Sequence, residues 1–376
     1  MTTTADPRPR VLLVTEVDFW LGGAGHRARI GTLVAHLAPR VRLTVLVPPA
    51  WPADRWAQAR AACPGVDLQS LNLPARVVVP QARAALHAFL QQRPQHACIV
   101  EYLSLGWLRA AVPAGVLTLV DTHDVASQRD ADFLRAGRTP PWPLTREDQE
   151  RARLAAFDRV IAISAPDAEV FTRWLGADRV LLVPHPCQPS PQPVREHASR
   201  VLFVGSAYLP NRDGLAWLLR EVWPRVGHAG AVLDLVGDAA QGLGATALPP
   251  SVHLHGRMPD LAAAYAQADL CVNPVAYGSG LKIKSVEALA HGRPLVCTTA
   301  GSRGLPADGE GAPAWVTADD PAAFATAIDT LLASHRQRRH LAAAGLALVA
   351  RHFDAERCFQ PLLHLLQAAA GGRTTG

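Results

Sequence analysis

Lysine is almost absent from this chain. Of its 37 basic residues only Lys282 and Lys284 are lysines, and both lie in the stretch GSGLKIKSVEALAHGRPLV of residues 278–296. An ammonium group is a compact cation with three donors, whereas the planar guanidinium of arginine suits a forked partner. A chain that uses arginine everywhere else therefore indicates a site here that needs the smaller group.

Other features are missing as well, and each excludes a class of protein. The six cysteines include no C-x-x-C pair and lie near no histidine cluster, which argues against a metal or redox site and predicts reduced core cysteines. No run of about 18 apolar residues occurs, so we expect no transmembrane helix. The N-terminal residues lack the apolar stretch of a secretory signal, so we expect a cytoplasmic protein.

The basic residues are scattered along the chain rather than clustered. The formal net charge of +5 suits an anionic ligand or an acidic membrane surface, and the scatter argues against binding of nucleic acid. Binding to such a surface would place the protein peripherally at the inner face of the membrane, although no basic amphipathic helix stands out.

Length and pattern predict two domains built on parallel sheets. A chain of 376 residues exceeds one ordinary hydrophobic core. Short apolar runs alternate with amphipathic stretches, which is typical of βαβ units around a sheet buried on both faces. The strands expected in the first half are residues 11–17, 41–47, 97–102, 116–122, 159–164 and 180–184.

A proline-rich stretch at 184–200 indicates a linker, after which the alternation restarts. Strands are expected at 200–205, 231–237, 252–256, 269–274 and 294–299, and helices at 213–225, 260–267, 284–292, 321–333, 336–350 and 354–370. The predicted fold class is α/β, with two Rossmann-like halves. Ligands of such sheets bind beyond the carboxyl ends of the strands, so we expect the site residues there.

The first candidate site is a glycine-rich turn. Gly22, Gly23 and Gly25 follow the first strand and precede a helix expected to begin near His26. Backbone amides and the positive end of a helix dipole favour a phosphate group at such a turn. A tight turn without a ligand is the alternative, since G-G-x-G is not the dinucleotide fingerprint.

The second candidate follows the strand at 116–122. Asp121, His123 and Asp124 lie at its end, where an imidazole can bind a sugar hydroxyl or move a proton, and a carboxylate can fix its tautomer. For Asp124, capping of the next helix is the alternative.

The third candidate is the loop that carries Gly205, Ser206, Asn211 and Arg212 between a strand and a helix. A loop at a helix N-terminus with a cation nearby suits a diphosphate. The alternatives are a helix cap for Asn211 and a solvated side chain for Arg212.

The lysine-bearing stretch is the fourth and strongest candidate. A strand ends near Pro274, a glycine turn follows, and the next helix carries Glu287 three residues beyond Lys284 on one face. Turn amides and an ammonium group suit phosphates, and a carboxylate accepts two hydrogen bonds from a ribose diol. Together these groups describe a nucleoside diphosphate; a surface salt bridge between Lys284 and Glu287 is the alternative.

These motifs resemble the retaining glycosyltransferases of family 4. The segment LGGAGHRARI at 21–30 is similar to their N-terminal glycine loop, VDTHD at 120–124 to their loop histidine, VLFVGSAYLPNRDGLAWL at 201–218 to the opening of their donor lobe, and residues 256–305 to their nucleotide-sugar motif. The resemblance implies the GT-B fold. It implies an acceptor domain at 1–190, a donor domain at 191–352, and a helix at 353–376 that returns to the first domain.

The resemblance also implies roles for individual residues. Glu287 would bind the nucleotide ribose, His123 would lie near the donor sugar, and with Lys284 they form the predicted catalytic set. The predicted donor-binding residues are Gly22, Gly23, Gly205, Asn211, Arg212, Arg257, Met258, Ser279, Gly280, Leu281 and Lys282. The predicted acceptor-lining residues are Trp20, His26, Glu101, Tyr102, Asp124 and Arg129.

This chain departs from the family pattern at two points. Ser279 stands where the family has the first of two glutamates, so the expected carboxylate contact to the donor sugar is missing from that position. The cations that neutralise the diphosphate after the first donor-lobe strand are not plainly present, since only Arg212 lies close. Our interpretation is that Lys282 or Lys284 supplies that charge.

The predicted function is transfer of a sugar from a nucleoside diphosphate sugar, such as a UDP- or GDP-sugar, to an acceptor hydroxyl with retention of configuration. Departure of the diphosphate calls for electrostatic stabilisation, so no metal or other cofactor is expected. The acceptor could be a glycan, a lipid-linked sugar, a peptide or a small molecule. The alternatives are a nucleotide-sugar epimerase on the same fold and a non-catalytic sugar-nucleotide-binding subunit; a NAD-dependent dehydrogenase is disfavoured.

Overall fold

The architecture consists of two parallel β-sheets with helices on both faces of each. The computed structural model describes residues 6–73, 79–241, 248–258, 260–306 and 314–372. The strands are β1 Arg10–Val14, β2 Arg42–Pro49, β3 Asp67–Leu73, β4 Ala97–Glu101, β5 Leu117–Asp121, β6 Arg159–Ala162, β7 Val180–Leu182, β8 Arg200–Val204, β9 Val232–Val236, β10 Val252–Gly256, β11 Leu270–Asn273, β12 Leu295–Cys297 and β13 Val316–Thr317. The α-helices are α1 Gly25–Leu37, α2 Ala53–Ala62, α3 Val79–Gln92, α4 Ala126–Arg135, α5 Glu147–Leu154, α6 Ala165–Leu175, α7 Leu209–Trp217, α8 Ala262–Gln267, α9 Ile283–Ala290, α10 Pro321–Ala333, α11 His335–His352 and α12 Ala355–Gly371.

The first lobe contains a seven-stranded sheet in the order β3-β2-β1-β4-β5-β6-β7, in which every neighbouring pair is parallel. Its central strands are mainly apolar because both faces of the sheet are covered. Along β1, Val11 and Leu13 lie in one buried cluster, and Leu12 and Val14 lie in another on the opposite face. The strand order reverses between β1 and β4, which is where such sheets bind ligands.

The second lobe contains a six-stranded parallel sheet in the order β10-β9-β8-β11-β12-β13. Its core is again divided between two faces, because Val201 and Phe203 of β8 pack into one cluster and Leu202 into another. The strand order reverses between β8 and β11. Both lobes are therefore doubly wound, which confirms the predicted fold class.

The last helix ties the C-terminus to the first lobe. Phe359, Leu362 and Leu366 of α12 are fully buried and belong to the cluster that covers β1. The returning helix expected from the resemblance is thus confirmed. The domain limits at residues 190 and 352 stay predictions; between β7 and β8, residues 183–199 contain no helix or strand.

The structure corrects the predicted elements at three places. The strand β3 was not predicted because its sequence, DLQSLNL, is polar and largely half-buried at the edge of the sheet. The strand β13, which is only two residues long, was not predicted either. The helix expected at 213–225 instead begins at Leu209, with Pro210 in its first turn, and changes to a π-helical turn at Leu218–Val222 and a 3₁₀ turn at Trp223–Arg225.

The cysteines and the lengths of the helices bear on two further predictions. All six cysteines are unpaired; four are buried, and Cys63 and Cys187 are half-buried. Among the described residues, no helix combines the length and the apolar character needed to span a bilayer.

Candidate active site

Loops from the carboxyl ends of the two sheets touch each other, and we call this contact region the interlobe site. Ser279, in the turn after β11, donates a hydrogen bond from its hydroxyl to Asp124 Oδ2 at 3.0 Å, across the lobes. Gly280 has φ +72°, and a methyl group at its α-carbon would lie 2.8 Å from the carbonyl oxygen of His123. Only glycine fits at this approach without moving one lobe from the other.

The glycine turn after β1 lies against the second lobe. Gly22 and Gly23 have φ of +62° and +75°, and α1 begins two residues later at Gly25. A side chain at Gly23 would meet Arg257 Nε at 3.4 Å. Ala24 precedes the helix and has no side-chain oxygen with which to cap it, so the first amides of α1 are available to an anion at the cleft.

Contacts with Tyr102 and Glu101 hold the His123 ring in one orientation. Its backbone has φ +62°, its ring stacks on Tyr102 with centroids 3.9 Å apart, and its Nε2 lies 2.7 Å from Glu101 Oε2. Burial and the nearby charge of Asp121 raise the pKa of Glu101, whereas the contacts with His123 lower it. The carboxyl group of Glu101 therefore fixes the tautomer and the tilt of the imidazole.

A buried ion pair lies beneath His123. Arg29 Nε donates to Asp121 Oδ2 at 2.9 Å, and the two side chains are 1% and 0% exposed. Burial, followed by the charges of Arg29 and His123, lowers the pKa of His185 to about 3, so this neighbour is neutral. Glu101, Asp121 and His123 bring ligand-type atoms within 4.8 Å of one another, but the Arg29 guanidinium already supplies a positive charge to this group.

The two lysines have different partners. Lys282 Nζ donates to the carbonyl oxygens of Gly278, Ser279 and Gly280 at 3.0, 2.8 and 3.4 Å. Three donors on one nitrogen match three carbonyls of a tight turn, which a planar guanidinium cannot do. Lys282 therefore shapes the turn, and this accounts for a lysine at that position.

Lys284 and Glu287 lie on one face of α9, the helix that follows the turn of the interlobe site. Lys284 Nζ donates to Asn211 Oδ1 at 2.5 Å and lies 5.4 Å from the centre of the Phe203 ring. Burial, then the charge of Lys282, lowers the pKa of Lys284 to about 7. Burial raises the pKa of Glu287 to about 7, against the opposing effects of Tyr265, whose hydroxyl donates to it at 3.1 Å, and of Lys284.

The start of α7 and the loop that precedes it position the partner of Lys284. Asn211 donates from Nδ2 to the carbonyl and the hydroxyl of Ser206, both at 3.2 Å, and accepts from Lys284. Asn211 lies inside α7 and does not cap it, so that alternative is wrong. Gly205 is required by packing, since a methyl group there would lie 2.7 Å from the Phe203 ring. Arg212 is exposed, which agrees with the alternative of a solvated side chain.

Several predicted residues lie outside the site or contribute indirectly. Glu101 is buried beneath His123, so its predicted place on the acceptor surface is wrong. Trp20 packs against Phe19 and Trp51 within the first lobe. Met258 packs against the core of the second lobe. Arg257 pairs with Asp238 at 2.5 Å and faces the glycine turn.

Of the other predicted residues, two lie at the strand ends of the first lobe and one is buried in a core. His26 is exposed, and its ring centre lies 6.5 Å from that of Tyr102. Arg129 contacts Asp124 at 3.1 Å and Asp130 at 3.2 Å and lies over the Trp142 ring. Leu281 is buried and packs in the second-lobe core.

Sequence reasoning missed the groups that join the lobes. Arg138 of the first lobe pairs with Asp213 through two contacts of 2.8 Å, and Arg303 of the second pairs with Asp132 at 2.5 Å. An aromatic cluster crosses the same boundary, formed by Phe133, Trp142, Tyr208 and Tyr277. These pairs lie far apart in sequence and leave no local pattern. The buried Arg29 did leave a signal, since it shares one stripe of α1 with Leu33 and Leu37.

This arrangement, two doubly wound lobes that meet at the carboxyl ends of their strands, is the GT-B fold. Residues 198–334 match the sequence model described as glycosyl transferases group 1. The second lobe is therefore similar in sequence to group 1 glycosyltransferase domains.

Solved structures share the fold along almost the whole chain. Sucrose-phosphate synthase from Thermosynechococcus elongatus is 18% identical, with TM-score 0.71 and coverage of 97% of this chain and 100% of that one. HepE from Anabaena, solved with UDP and glucose, is 14% identical, with TM-score 0.70 and coverage of 96% and 100%. WaaG, a glycosyltransferase involved in lipopolysaccharide biosynthesis, is 16% identical, with TM-score 0.60 and coverage of 97% and 100%.

One curated relative matches part of the chain. An uncharacterized 44.6 kDa protein in the cps region of Klebsiella pneumoniae is 24% identical over 222 residues, which are 55% of this chain and 56% of that protein. The match thus spans about half the length of each.

Proposed function

We propose that this protein transfers a glycosyl group from a nucleoside diphosphate sugar to an acceptor hydroxyl in the synthesis of a glycan or glycoconjugate, with retention of anomeric configuration. The observation that carries the proposal is the set of groups around Lys284 and Glu287. A cation, a carboxylate and a glycine turn belong to α9 and the loop before it, and Ile283 at the start of α9 lies 3.3 Å from a methyl group placed at Gly25, the first residue of the uncapped helix α1. These are the groups that a nucleoside diphosphate requires.

Each part of the proposed donor has a partner of matching chemistry. Lys284 and the amides at the start of α1 would hold the diphosphate, and the Glu287 carboxylate would accept from the ribose diol. Negative charge grows on the diphosphate as it leaves, so groups placed in advance to receive that charge lower the barrier. In this proposal no metal takes part, and His123 binds the transferred sugar.

The comparisons support the class of donor and of product. HepE was solved with UDP, with UDP-glucose, and with UDP and glucose. WaaG is involved in lipopolysaccharide biosynthesis, and the Klebsiella relative lies in a cps region. We therefore propose a sugar-bearing acceptor, either a glycan or a lipid-linked sugar.

A binding panel tests the proposal. Titration calorimetry with UDP, GDP, ADP and dTDP is expected to give saturable heat with at least one of them. Glu287→Gln is expected to weaken that binding by about 10-fold or more, because a charge-assisted hydrogen bond contributes about 1.5–3 kcal/mol. The matching control is Glu221→Gln, which changes an exposed carboxylate of the same lobe and should leave affinity unchanged.

Activity is then measured with the corresponding nucleotide sugars. Slow donor hydrolysis without acceptor, and transfer with one, are expected, and NMR of the product gives its anomeric configuration. Formation of an epimer without acceptor would indicate the epimerase instead. Absence of heat with every nucleoside diphosphate would contradict the proposal.

Binding is also expected to take up a proton at alkaline pH. Because the pKa of Lys284 is lowered to about 7, its amine is mostly neutral at pH 8, and a bound diphosphate would raise that pKa and protonate it. We expect uptake of up to about one proton per complex at pH 8. At pH 6 Lys284 is already charged, so its uptake should vanish.

Calorimetry in two buffers of different ionisation enthalpy measures this uptake. The apparent enthalpy at pH 8 should differ between the buffers for the native protein and agree between them for Lys284→Met. Equal enthalpies for the native protein at pH 8 would contradict the assignment of Lys284 to the diphosphate.

A further inference from the structure

The hydrogen bond between Ser279 and Asp124 places a carboxylate of the first lobe on the nucleotide side of the cleft. Asp124 lies directly after His123, and its Oδ2 accepts from the Ser279 hydroxyl at 3.0 Å. Its β-carbon would lie 3.1 Å from a methyl group at Gly280. The carboxylate therefore meets the turn that begins α9, next to the position proposed for the diphosphate.

Asp124 is not used to cap the helix that follows it. The amides of Ala126 and Ser127, at the start of α4, donate to the two carboxylate oxygens of Glu150 at 2.7 and 2.8 Å. The helix cap was the ordinary alternative for Asp124, and another residue fills that role. Asp124 is thus free to serve the cleft.

The carboxylate of Asp124 also retains capacity to accept. It can take about four hydrogen bonds. Within the described part of the chain, the donors recorded on it are Arg129 Nη1, at 3.1 and 3.3 Å, and the Ser279 hydroxyl. Neighbouring His123 has its Nε2 on buried Glu101, so Asp124 is the acceptor at this strand end that faces the turn.

We propose that Asp124 binds a hydroxyl group of the transferred sugar and so helps to determine which sugar is transferred. The Ser279 hydroxyl shows the contact that an alcohol makes with this carboxylate, and Arg129 orients the carboxylate. In the proposed complex the sugar is joined to the diphosphate held by Lys284, and Asp124 meets the turn at residues 279–280 that leads into the helix of Lys284. This inference rests on the proposed function and names a sugar rich in hydroxyl groups as the substrate class.

Exchange of the two side chains across the contact tests the proposal. The Asp124→Ser variant should bind the nucleoside diphosphate identified by the calorimetric panel with native affinity. The same variant should lose about 10- to 100-fold in kcat/KM for hydrolysis of its nucleotide sugar, the range expected for a hydrogen bond to a charged group. The double variant Asp124→Ser/Ser279→Asp should recover about 10-fold over Asp124→Ser, because the carboxylate returns from the other side. Asp148→Ser, at an exposed carboxylate of α5, is the control and should match the native enzyme.

Donors that lack single hydroxyl groups identify the contact. One monodeoxy sugar should be a poor donor for the native enzyme by about 10- to 100-fold and should show no such penalty with Asp124→Ser. If Asp124→Ser lowers the melting temperature strongly, Asp124→Asn takes its place; its amide oxygen still accepts without charge, so both effects should be smaller and in the same direction. Equal kcat/KM for variant and native enzyme, or equal penalties with every deoxy donor, would overturn the inference while leaving nucleoside diphosphate binding intact. Failure of the native protein to bind any nucleoside diphosphate would instead overturn the proposed function.

Discussion

Replacement of Lys284 by alanine is expected to lower kcat for sugar transfer by about 10²- to 10³-fold, the usual effect of removing one group that stabilises charge in a transition state. Lys284 lies on Asn211 and above the Phe203 ring, so its ammonium group is positioned before substrate arrives. The charge on the leaving diphosphate grows during the reaction, so the loss should fall mainly on kcat rather than on KM.

Lys284→Arg should lose activity almost as severely, although it keeps the charge. The nitrogen of Lys284 sits 2.5 Å from Asn211 Oδ1, in a space closed by the Phe203 ring. A planar guanidinium is wider and would displace Asn211 or turn away from the diphosphate.

Steady-state kinetics with the donor found by the panel measures both Lys284 variants. Arg220→Ala, at an exposed position of the same lobe, is the control and should retain native kcat. Near-normal activity of Lys284→Ala would contradict the role given to this lysine.

Asp121→Ala is expected to lower the free energy of unfolding by about 3–5 kcal/mol, the typical cost of removing one partner of a buried ion pair. Arg29 is 1% exposed and lies 2.8 Å from Asp121 Oδ2. Loss of the carboxylate would leave the guanidinium buried without its ion-pair partner, where water cannot reach it.

Equilibrium urea unfolding of the variant, with the melting temperature as a second measure, tests this expectation. The matching control is Asp148→Ala, which removes the aspartate of an exposed aspartate–arginine pair and should leave stability unchanged. Equal stability of Asp121→Ala and the native protein would show that Arg29 finds another partner, and the account of how His123 is supported would be wrong.

The fold could be predicted because its signals are local. Apolar runs of strand length, separated by amphipathic stretches, are required by sheets covered on both faces, and they gave most strands and the helices α10, α11 and α12. The strand β3 was not predicted because an edge strand needs no continuous apolar run.

The candidate site could be predicted only as far as the strand ends. Gly23, His123 and Lys284 were predicted because each lies in a segment that follows a strand. The backbone at Gly23 and His123 approaches the second lobe, and Lys284 lies on the helix after the turn of the interlobe site. The partner of each side chain depended on turn geometry that sequence does not reveal. Lys282 is held by three turn carbonyls, whereas Lys284, two residues later, lies on Asn211.

The contacts between lobes were beyond sequence reasoning. Glu150 caps α4, which releases Asp124, and Asp124 reaches Ser279 at a separation of 155 residues. No periodicity or motif relates such positions, because the contact arises from the docking of two independently patterned domains.

A crystal structure of the protein with its nucleoside diphosphate tests the central claim most directly. We predict that the ribose diol lies within hydrogen-bond distance of the Glu287 carboxylate, with the diphosphate between Lys284 and the first amides of α1. A nucleotide bound elsewhere on the second lobe, with Glu287 and Lys284 in contact only with protein, would contradict it.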